Sequence, residues 1–454
     1  MSSRSLLIRD IHTLVLMDER DTVLHGASLY VADGEIRKVV SSGIRQPTAD
    51  RVISGRHAVV LPGLINTHHH LYQALTRAYG PAADAELFDW LRTLYPIWAR
   101  LDDESLHAAA LVGMAELLLS GCTTTTDHHY VFPRGHTNLI DVEIGAARRI
   151  GIRFHPARGS MSVGQSKGGL PPDSVVQSEE RILADCERVI RKYHDPSPGS
   201  MLRIALAPCS PFSVSPRLMR ATADLASRHA VRLHTHLAET RDEEAYCLER
   251  FGKRPLDLLQ DTGWLGSNTW LAHGIYFNRG EIARLGRAGV GIAHCPTSNM
   301  RLGSGCAPVL ALRRAGCAVG LGVDGSASND SSHMLAEARQ ALLLQRLKHG
   351  AAALGVRDAL RMATVEGARC LGRDDIGTLE PGKRADVALF DLRDLAYSGA
   401  GDPVSALLLC SPVRVDTLVV EGRIVVENGE LRTLALEPMT ARVRRLAAKL
   451  CGGQ

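Results

Sequence analysis

The stretch Leu61–Gln73, "LPGLINTHHHLYQ", closes a run of apolar residues with three consecutive histidines. Read as a strand from Val59 to Asn66, it sends alternate side chains to opposite faces, so His68 and His70 project together while His69 points away. The working unit is His-x-His at a strand end. Two imidazoles on one face can both reach a divalent cation of the zinc type, at about 2.0–2.1 Å each. Two ligands do not make a site, and three adjacent histidines taken alone suit a solvated loop equally well. What the rest of the chain brings to the same place decides between the two.

Outward from this segment, short apolar stretches alternate with helical patterns, which predicts repeated βα units and a parallel sheet. Eight strand candidates follow one another: "VVLPGLINTHHH", "GCTTTTDHH", "GIRFHPARG", "MLRIALAPCSP", "VRLHTHLAE", "TWLAHGIY", "VGIAHCPTSN" and "AVGLGVDGS". Eight is the number that closes a (β/α)8 TIM barrel, whose chemistry sits at the carboxyl ends of the strands. The fifth candidate ends in His234, His236 and Glu239, the sixth in His273, the seventh in His294 and the eighth in Asp324. A random scatter of nineteen histidines would not reach strand ends so consistently.

The two ends of the chain read differently. Residues 5–60 form short strands, with Asp33-Gly34 as a hairpin signal, and similar strands return in "GKRADVALFDL" and "VDTLVVEGRIVVENGEL", where Glu421-Gly422 and Asn428-Gly429 mark turns. Two half-sets of strands predict one β-sandwich built from both termini. The expected division is 1–60 plus 378–434 for that sandwich, 61–377 for the barrel, and a basic helix over 435–454. An insertion after the first barrel strand, "AELFDWLRTLYPIWARLD", carries Trp90, Tyr95 and Trp98 at helical spacing. Such a stripe is more often core than binding face, but its position after His70 predicts that part of it covers the site.

Composition narrows the function classes. The chain has 454 residues, 45% apolar and 22% charged, with a net charge of +4. That balance gives no case for nucleic acid or an anionic membrane as a partner. No apolar run approaches the roughly 20 residues of a membrane span, and the amino terminus "MSSRSLLIRDIHTLVLMDERD" meets charge too soon for a secretory signal, so a cytoplasmic protein is expected. Ten cysteines without CxxC pairs are expected to be reduced and mostly buried.

A catalytic metal needs three or four nitrogen and oxygen ligands and an open position. His68, His70, His236 and Asp324 can supply the ligands, and a metal so held lowers the pKa of water towards about 7. Glu239, three residues past His236, is placed to shuttle protons, and His273 to orient the attacking water or stabilise developing charge. His69, on the other strand phase, and His234 are expected to pack behind the metal. His294 is a candidate pocket residue, and the pair His128-His129 suits either support for the ligands or a solvated turn.

The ordered motifs "PGLINTHHH", "HTHLAE", "LAHG" and "GVDG", closed by "GTLEPGKRADVALFDL", resemble the amidohydrolase superfamily in its branch of deaminases and triazine hydrolases. The resemblance spans essentially the whole chain. It implies a distorted (β/α)8 barrel with a small β-sandwich from both termini, a homodimer, and one divalent metal on His68, His70, His236 and Asp324, with Glu239, His273 and Asp324 catalytic. Superfamily members with two metals use a carboxylated lysine after strand four. This sequence has no lysine between Lys192 and Lys253, so one metal is expected, zinc first and iron as the alternative.

Within the branch, "NTHHHLYQALTRA", "LFDWLRTLYPIWARL", "HLAETRDEEAYCLERFGKRPLDLL" and "HCPTSNMRLGSG" look most like enzymes of oxidised-purine deamination. That likeness implies hydrolysis of the 2-amino group of 8-oxoguanine to urate and ammonia. An s-triazine aminohydrolase or chlorohydrolase and a guanine or isocytosine deaminase are the enzyme alternatives, and a metal-free binding or assembly module is the alternative of another class. For a flat, amide-rich ring, Gln73 offers a donor and an acceptor and Arg158 offers donors to a carbonyl, while Cys209 and Ser326 sit at strand ends that can line the pocket. A structural ion pair is the competing reading of Arg158.

Overall fold

In the computed structural model, which describes residues 5–452, eight parallel strands close into a barrel. In chain order they are β1 (Leu64–Asn66), β2 (Cys122–His129), β3 (Arg153–Ser160), β4 (Ala205–Pro208), β5 (Arg232–Leu237), β6 (Thr269–His273), β7 (Gly291–His294) and β8 (Val319–Leu321). Each pairs with the next, and β8 closes onto β1 through Leu321 and Asn66. All eight expected strands are present. Residues 1–4 and 453–454, the outermost ends of the expected terminal segments, lie outside the described residues.

The barrel interior follows from side-chain size. Ala157, Ala205, Ala207 and Ala293 form a buried cluster with Ile65 and Trp270, so small residues on the strands leave room for one large ring. Trp270 fills that space, and its indole Nε1 donates to the carbonyl of Thr67 at 3.0 Å. Above it the interior turns polar, and the histidines begin.

The run from Val59 to Asn66 is not one strand. Ala58–Pro62 belongs to a seven-stranded sheet, where it pairs with Val387–Asp391 from the other end of the chain, while β1 enters the barrel. Gly63 stands between them because a Cβ there would meet Thr123 Oγ1 at 2.2 Å. A four-stranded sheet, Glu35–Val40, Ala27–Ala32, Ser5–Ile11 and Arg51–Ser54, packs on the seven-stranded one. Leu6, Ile8 and Val31 from the first share a buried cluster with Val60, Val387 and Leu389 from the second. The expected turns carry positive φ at Asp33 and Gly34, Glu421 and Gly422, and Asn428 and Gly429, as two-residue hairpins of right-handed strands require.

Two contacts tie these sheets and the last helix to the barrel. Arg153, 1% exposed, opens β3 and donates through Nε and Nη2 to Asp386, both at 3.0 Å. The helix Leu436–Cys451 lies against the helix Asp103–Leu119 and the turn Leu71–Thr76. All ten cysteines are free, most of them buried, and no helix among the described residues is long and apolar enough to cross a membrane.

Candidate functional site

The carboxyl ends of the strands bring His68, His70, His236 and Asp324 together, with one ligand atom of each lying within 4.8 Å of the others. Beyond β1 the strand breaks at Thr67 and His68 and resumes as a short pairing of His69–His70 with Asp324–Gly325. That pairing sets two segments 250 residues apart side by side. Asp324 takes a left-handed backbone, φ 59°, as do Ala238 and His273 at φ 53° and 70°. Left-handed geometry is costly for non-glycine residues, and three of the twelve that adopt it among the described residues lie at this centre rather than in a surface turn.

Backbone carbonyls decide which nitrogen each ring presents. His70 Nδ1 lies 2.8 Å from the carbonyl of His128, and His236 Nδ1 lies 2.6 Å from that of Cys209. A carbonyl only accepts, so both Nδ1 atoms carry the proton and both Nε2 atoms carry lone pairs. The same logic runs through His234, whose Nδ1 donates to the carbonyl of Trp270 at 2.9 Å, so its Nε2 accepts from His68 Nδ1 at 2.8 Å. His68 Nε2 is then also a lone pair.

Three lone pairs and a carboxylate therefore face one point. His70 Nε2 and His236 Nε2 are 3.1 Å apart, and the Nε2 atoms of His68 and His70 are each 3.2 Å from Asp324 Oδ1. Two acceptors at 3.1 Å repel unless a cation lies between them. Burial holds His68 well below the ordinary imidazole value and His236 down to about 3, which keeps those two rings in the form that offers a lone pair. The donor set fits one divalent metal of the zinc type.

Around the ligands lies a layer of partners that orients them, as metal sites generally require. His234 stacks on Trp270, ring centroids 4.4 Å apart, and His128 stacks on His236 at 4.8 Å. Both are fully buried, so His128 is no solvated turn. Asp324 Oδ2 accepts from Ser298 at 2.6 Å and Ser328 at 3.1 Å. His69 packs behind the ligands with Nε2 3.2 Å from Ser332 Oγ. His294 is buried beside these groups and does not line the cavity.

Glu239 and His273 face each other across the cavity, Oε2 to Nε2 at 3.5 Å. Burial, and then the charge of Asp324, pushes the Glu239 carboxyl well above its usual range. His273 is held from behind, its Nδ1 2.9 Å from Asn299 Oδ1. The backbone of the Glu239 turn is held by Glu243, whose oxygens accept from the amides of Ala238 and Glu239, both at 2.9 Å. Ser298, Asn299 and Glu243 escape sequence reasoning. The available signals were "PTSN" directly after β7 and an acid four residues past Glu239.

Of the candidate substrate residues, Gln73 and Cys209 line the cavity with Trp90, Tyr95 and Tyr130. The amide of Ala327 donates to Gln73 Oε1 at 3.3 Å, so the buried Nε2, which has no partner, is left as the free donor. Gly325 makes this possible, since a Cβ there would lie 1.8 Å from Gln73 Oε1. Burial pushes the Cys209 thiol up to about 12, which makes it a neutral wall rather than a nucleophile. The aromatic stripe splits as its helical phase dictates. Trp90 and Tyr95 line the cavity, while Trp98 packs on Tyr72 and donates from Nε1 to Thr76.

Two candidates are directed elsewhere. Arg158 shares the phase of Phe154 on β3, away from the interior-facing Ala157, and its donors go to Asp185 (2.9 Å), Gln177 (2.8 Å) and the carbonyl of Gly159 (2.5 Å). It is a structural arginine, capped by the Phe132 ring at 4.1 Å. Ser326 lies outside the cavity lining, with its Oγ 3.3 Å from both Arg77 Nη2 and Ser332 Oγ. The chain turns back where the amide of Ser328 donates to the carbonyl of Gly325, so Ser328 points inward in its place.

Residues 59–425 match the Amidohydrolase family. The chain is 56% identical over 427 residues to the 8-oxoguanine deaminase of Pseudomonas aeruginosa, covering 94% of this chain and 95% of that one. It is 40% identical over 442 residues to the hydroxydechloroatrazine ethylaminohydrolase of a Pseudomonas species, covering 93% and 91%. Among solved structures, the zinc complex of atrazine chlorohydrolase from Arthrobacter aurescens superposes with a TM-score of 0.94 at 35% identity, over 97% of this chain and all of that one.

Proposed function

From the premise that this chain belongs to the amidohydrolase family, we propose that it is a metal-dependent hydrolytic deaminase that converts 8-oxoguanine to urate and ammonia. The observation that carries the chemistry is the convergence of three imidazole lone pairs and a carboxylate beside a glutamic acid whose carboxyl burial pushes well above its usual range. When bound by His68, His70, His236 and Asp324, a divalent metal, zinc first and iron as the alternative, makes water nucleophilic near neutral pH. The protein's own groups do the rest.

Glu239, protonated before reaction, gives its proton to the ring nitrogen next to the carbon that bears the 2-amino group, which makes that carbon electrophilic. As the C–O bond forms, Asp324, oriented by Ser298 and Ser328, takes a proton from the attacking water. The leaving nitrogen takes that proton from Asp324, the C–N bond breaks and ammonia departs, and the hydroxyl left on the ring carbon returns its proton to Glu239 as it becomes the carbonyl. His273, whose Nδ1 donates to Asn299 Oδ1, turns its Nε2 lone pair into the cavity beside Glu239, where it orients the attacking water by accepting its hydrogen. Gln73 Nε2 is the donor for a ring carbonyl, and the site carries no charged side chain free to grip a ribose phosphate.

The substrate assignment rests on the 56% identical relative. The 40% identical relative supports a second reading, amino- or chlorohydrolysis of an s-triazine in the same site. Ammonia release measured over 8-oxoguanine, guanine, isocytosine and hydroxylated triazines tests both. The highest kcat/KM is expected on 8-oxoguanine, and its absence there would overturn the assignment.

The same reading makes the protein a cytoplasmic homodimer, with a sandwich that runs through the strand Ala58–Pro62, two residues past the expected 1–60, and over 378–434, and a barrel from Leu64 to residue 377. The exposed Leu343 and Leu347, one turn apart on the helix Met334–His349, support an apolar contact face. Sedimentation equilibrium at one subunit mass would remove the dimer.

A further inference from the structure

At the opposite end of the barrel from the metal ligands, where β4, β5 and β6 begin, lies a cavity of about 410 Å3. That is within the size range of small-molecule sites. Its wall includes His155, His194, Arg203, Arg232 and Asn268, and no aspartate or glutamate. Asp374 and Asp375 act on Arg203 through space but form no ion pair with it. Asp375 pairs with Arg373 at 2.7 Å, and Asp195 accepts from Ser197.

Several donors in this wall are buried without a partner. His155, 3% exposed, has an unpartnered Nδ1, and the Nε atoms of Arg203 and Arg232 are likewise buried and unpartnered. The remaining bonds of both arginines go to neutral carbonyls, those of Gly372, Pro196 and Ser197 for Arg203 and of Cys370 for Arg232. Neither guanidinium has a carboxylate. Two cations facing one cavity repel each other, and unpaired buried donors carry a desolvation cost, so both features favour a ligand that brings negative charge and acceptor oxygens.

We propose that this cavity binds a small oxyanion, of the phosphate or carboxylate class, held by Arg203, Arg232 and His155. Burial first, and then the charges of Arg373, Arg232 and Arg203, hold His155 well below its ordinary value, so it stands in the cavity wall as a neutral ring. The site is separate from the metal centre and does not depend on which substrate that centre takes.

Isothermal titration of the full-length protein with inorganic phosphate, and separately with succinate, at fixed ionic strength tests this. Saturable binding at one site per chain is expected from at least one anion, and the one that binds identifies the class. Arg203→Gln and Arg232→Gln should each weaken that binding at least ten-fold. If either variant fails to fold, His155→Leu carries the same test, because it removes the ring nitrogens without touching either carbonyl contact. No saturable binding by phosphate or succinate, or binding that the folded variants leave unchanged, would overturn the proposal.

Discussion

Glu239 is the residue on which the chemistry turns, because it is the one buried acid that faces the cavity without an assigned place among the ligands. Glu239→Gln keeps the shape and removes the proton. Turnover should fall by about 10²–10⁴-fold, the usual range for a lost general acid or base, with metal content per chain unchanged by elemental analysis. A second acid makes a different prediction. Glu143, fully buried with Oε1 3.1 Å from His129 Nδ1 and close to Asp127, has its carboxyl pushed by burial from 4.5 up to about 8. The folded protein thus keeps a proton that the unfolded chain releases near 4.5. Its contribution to stability is complete below that pH and is lost as pH rises towards 8. Denaturant unfolding between pH 5 and 8 should show wild type losing stability relative to Glu143→Gln, by up to about 1.4 kcal/mol per pH unit. Parallel slopes would mean that Glu143 is already ionised.

At the scale of elements, the helix Leu87–Trp98 closes over the ligands and leaves about 30 Å3 in the cavity. One water needs roughly 10–15 Å3. A bicyclic ring therefore enters only if this segment moves. Trp90 latches it, donating from Nε1 to the carbonyl of Ala327 at 3.2 Å. Trp90→Phe removes that bond, of about 0.5–1.5 kcal/mol, while keeping an aromatic wall. KM should rise by roughly three- to ten-fold with a smaller change in kcat, read by steady-state kinetics, since the closed form is what the bond favours. Elements also explain where sequence reading succeeded. The period of two within β5 puts His234 and His236 on one face, so depth along the strand, not phase, leaves His236 at the cavity and His234 stacked on Trp270 beneath it. The strand β3 carries candidates on both phases, and nothing local to "HPARG" says that the interior belongs to Ala157 rather than Arg158.

Over the whole molecule, the metal ligands come from the ends of β1, β5 and β8, so a bound cation ties together segments that are far apart in the unfolded chain. A ligand of the native state alone stabilises by about 2.7 kcal/mol at one hundred times its dissociation constant. Chelation should lower the melting temperature and abolish turnover together, and zinc should restore both. An unchanged melting temperature on complete metal removal would argue that the four residues do not share an ion. The barrel and the terminal sheets meet at Arg153 and Asp386. Asp386→Ala leaves the buried guanidinium with Glu421 as its remaining carboxylate, so the loss should fall below the roughly 3–5 kcal/mol typical of a buried charge left unpaired. Urea denaturation should show that loss, while turnover per folded molecule stays near wild type because Arg153 lies at the far end of β3 from the ligands.

Local rules were enough for the strand count, the three hairpin turns and the placing of His68, His70, His236, Glu239, His273 and Asp324 at strand ends. Periodicity, turn chemistry and strand direction act over a few residues and are written in the chain itself. Only the tertiary structure decided which nitrogen each histidine offers, because that is set by the carbonyls of His128, Cys209 and Trp270, each distant in sequence from the ring it holds. It alone also turned Arg158 and Ser326 away and brought Ser298, Asn299 and Glu243 in. The breaks at Gly63 and Thr67 and the turn after Gly325 reset the alternation on which a sequence reading depends.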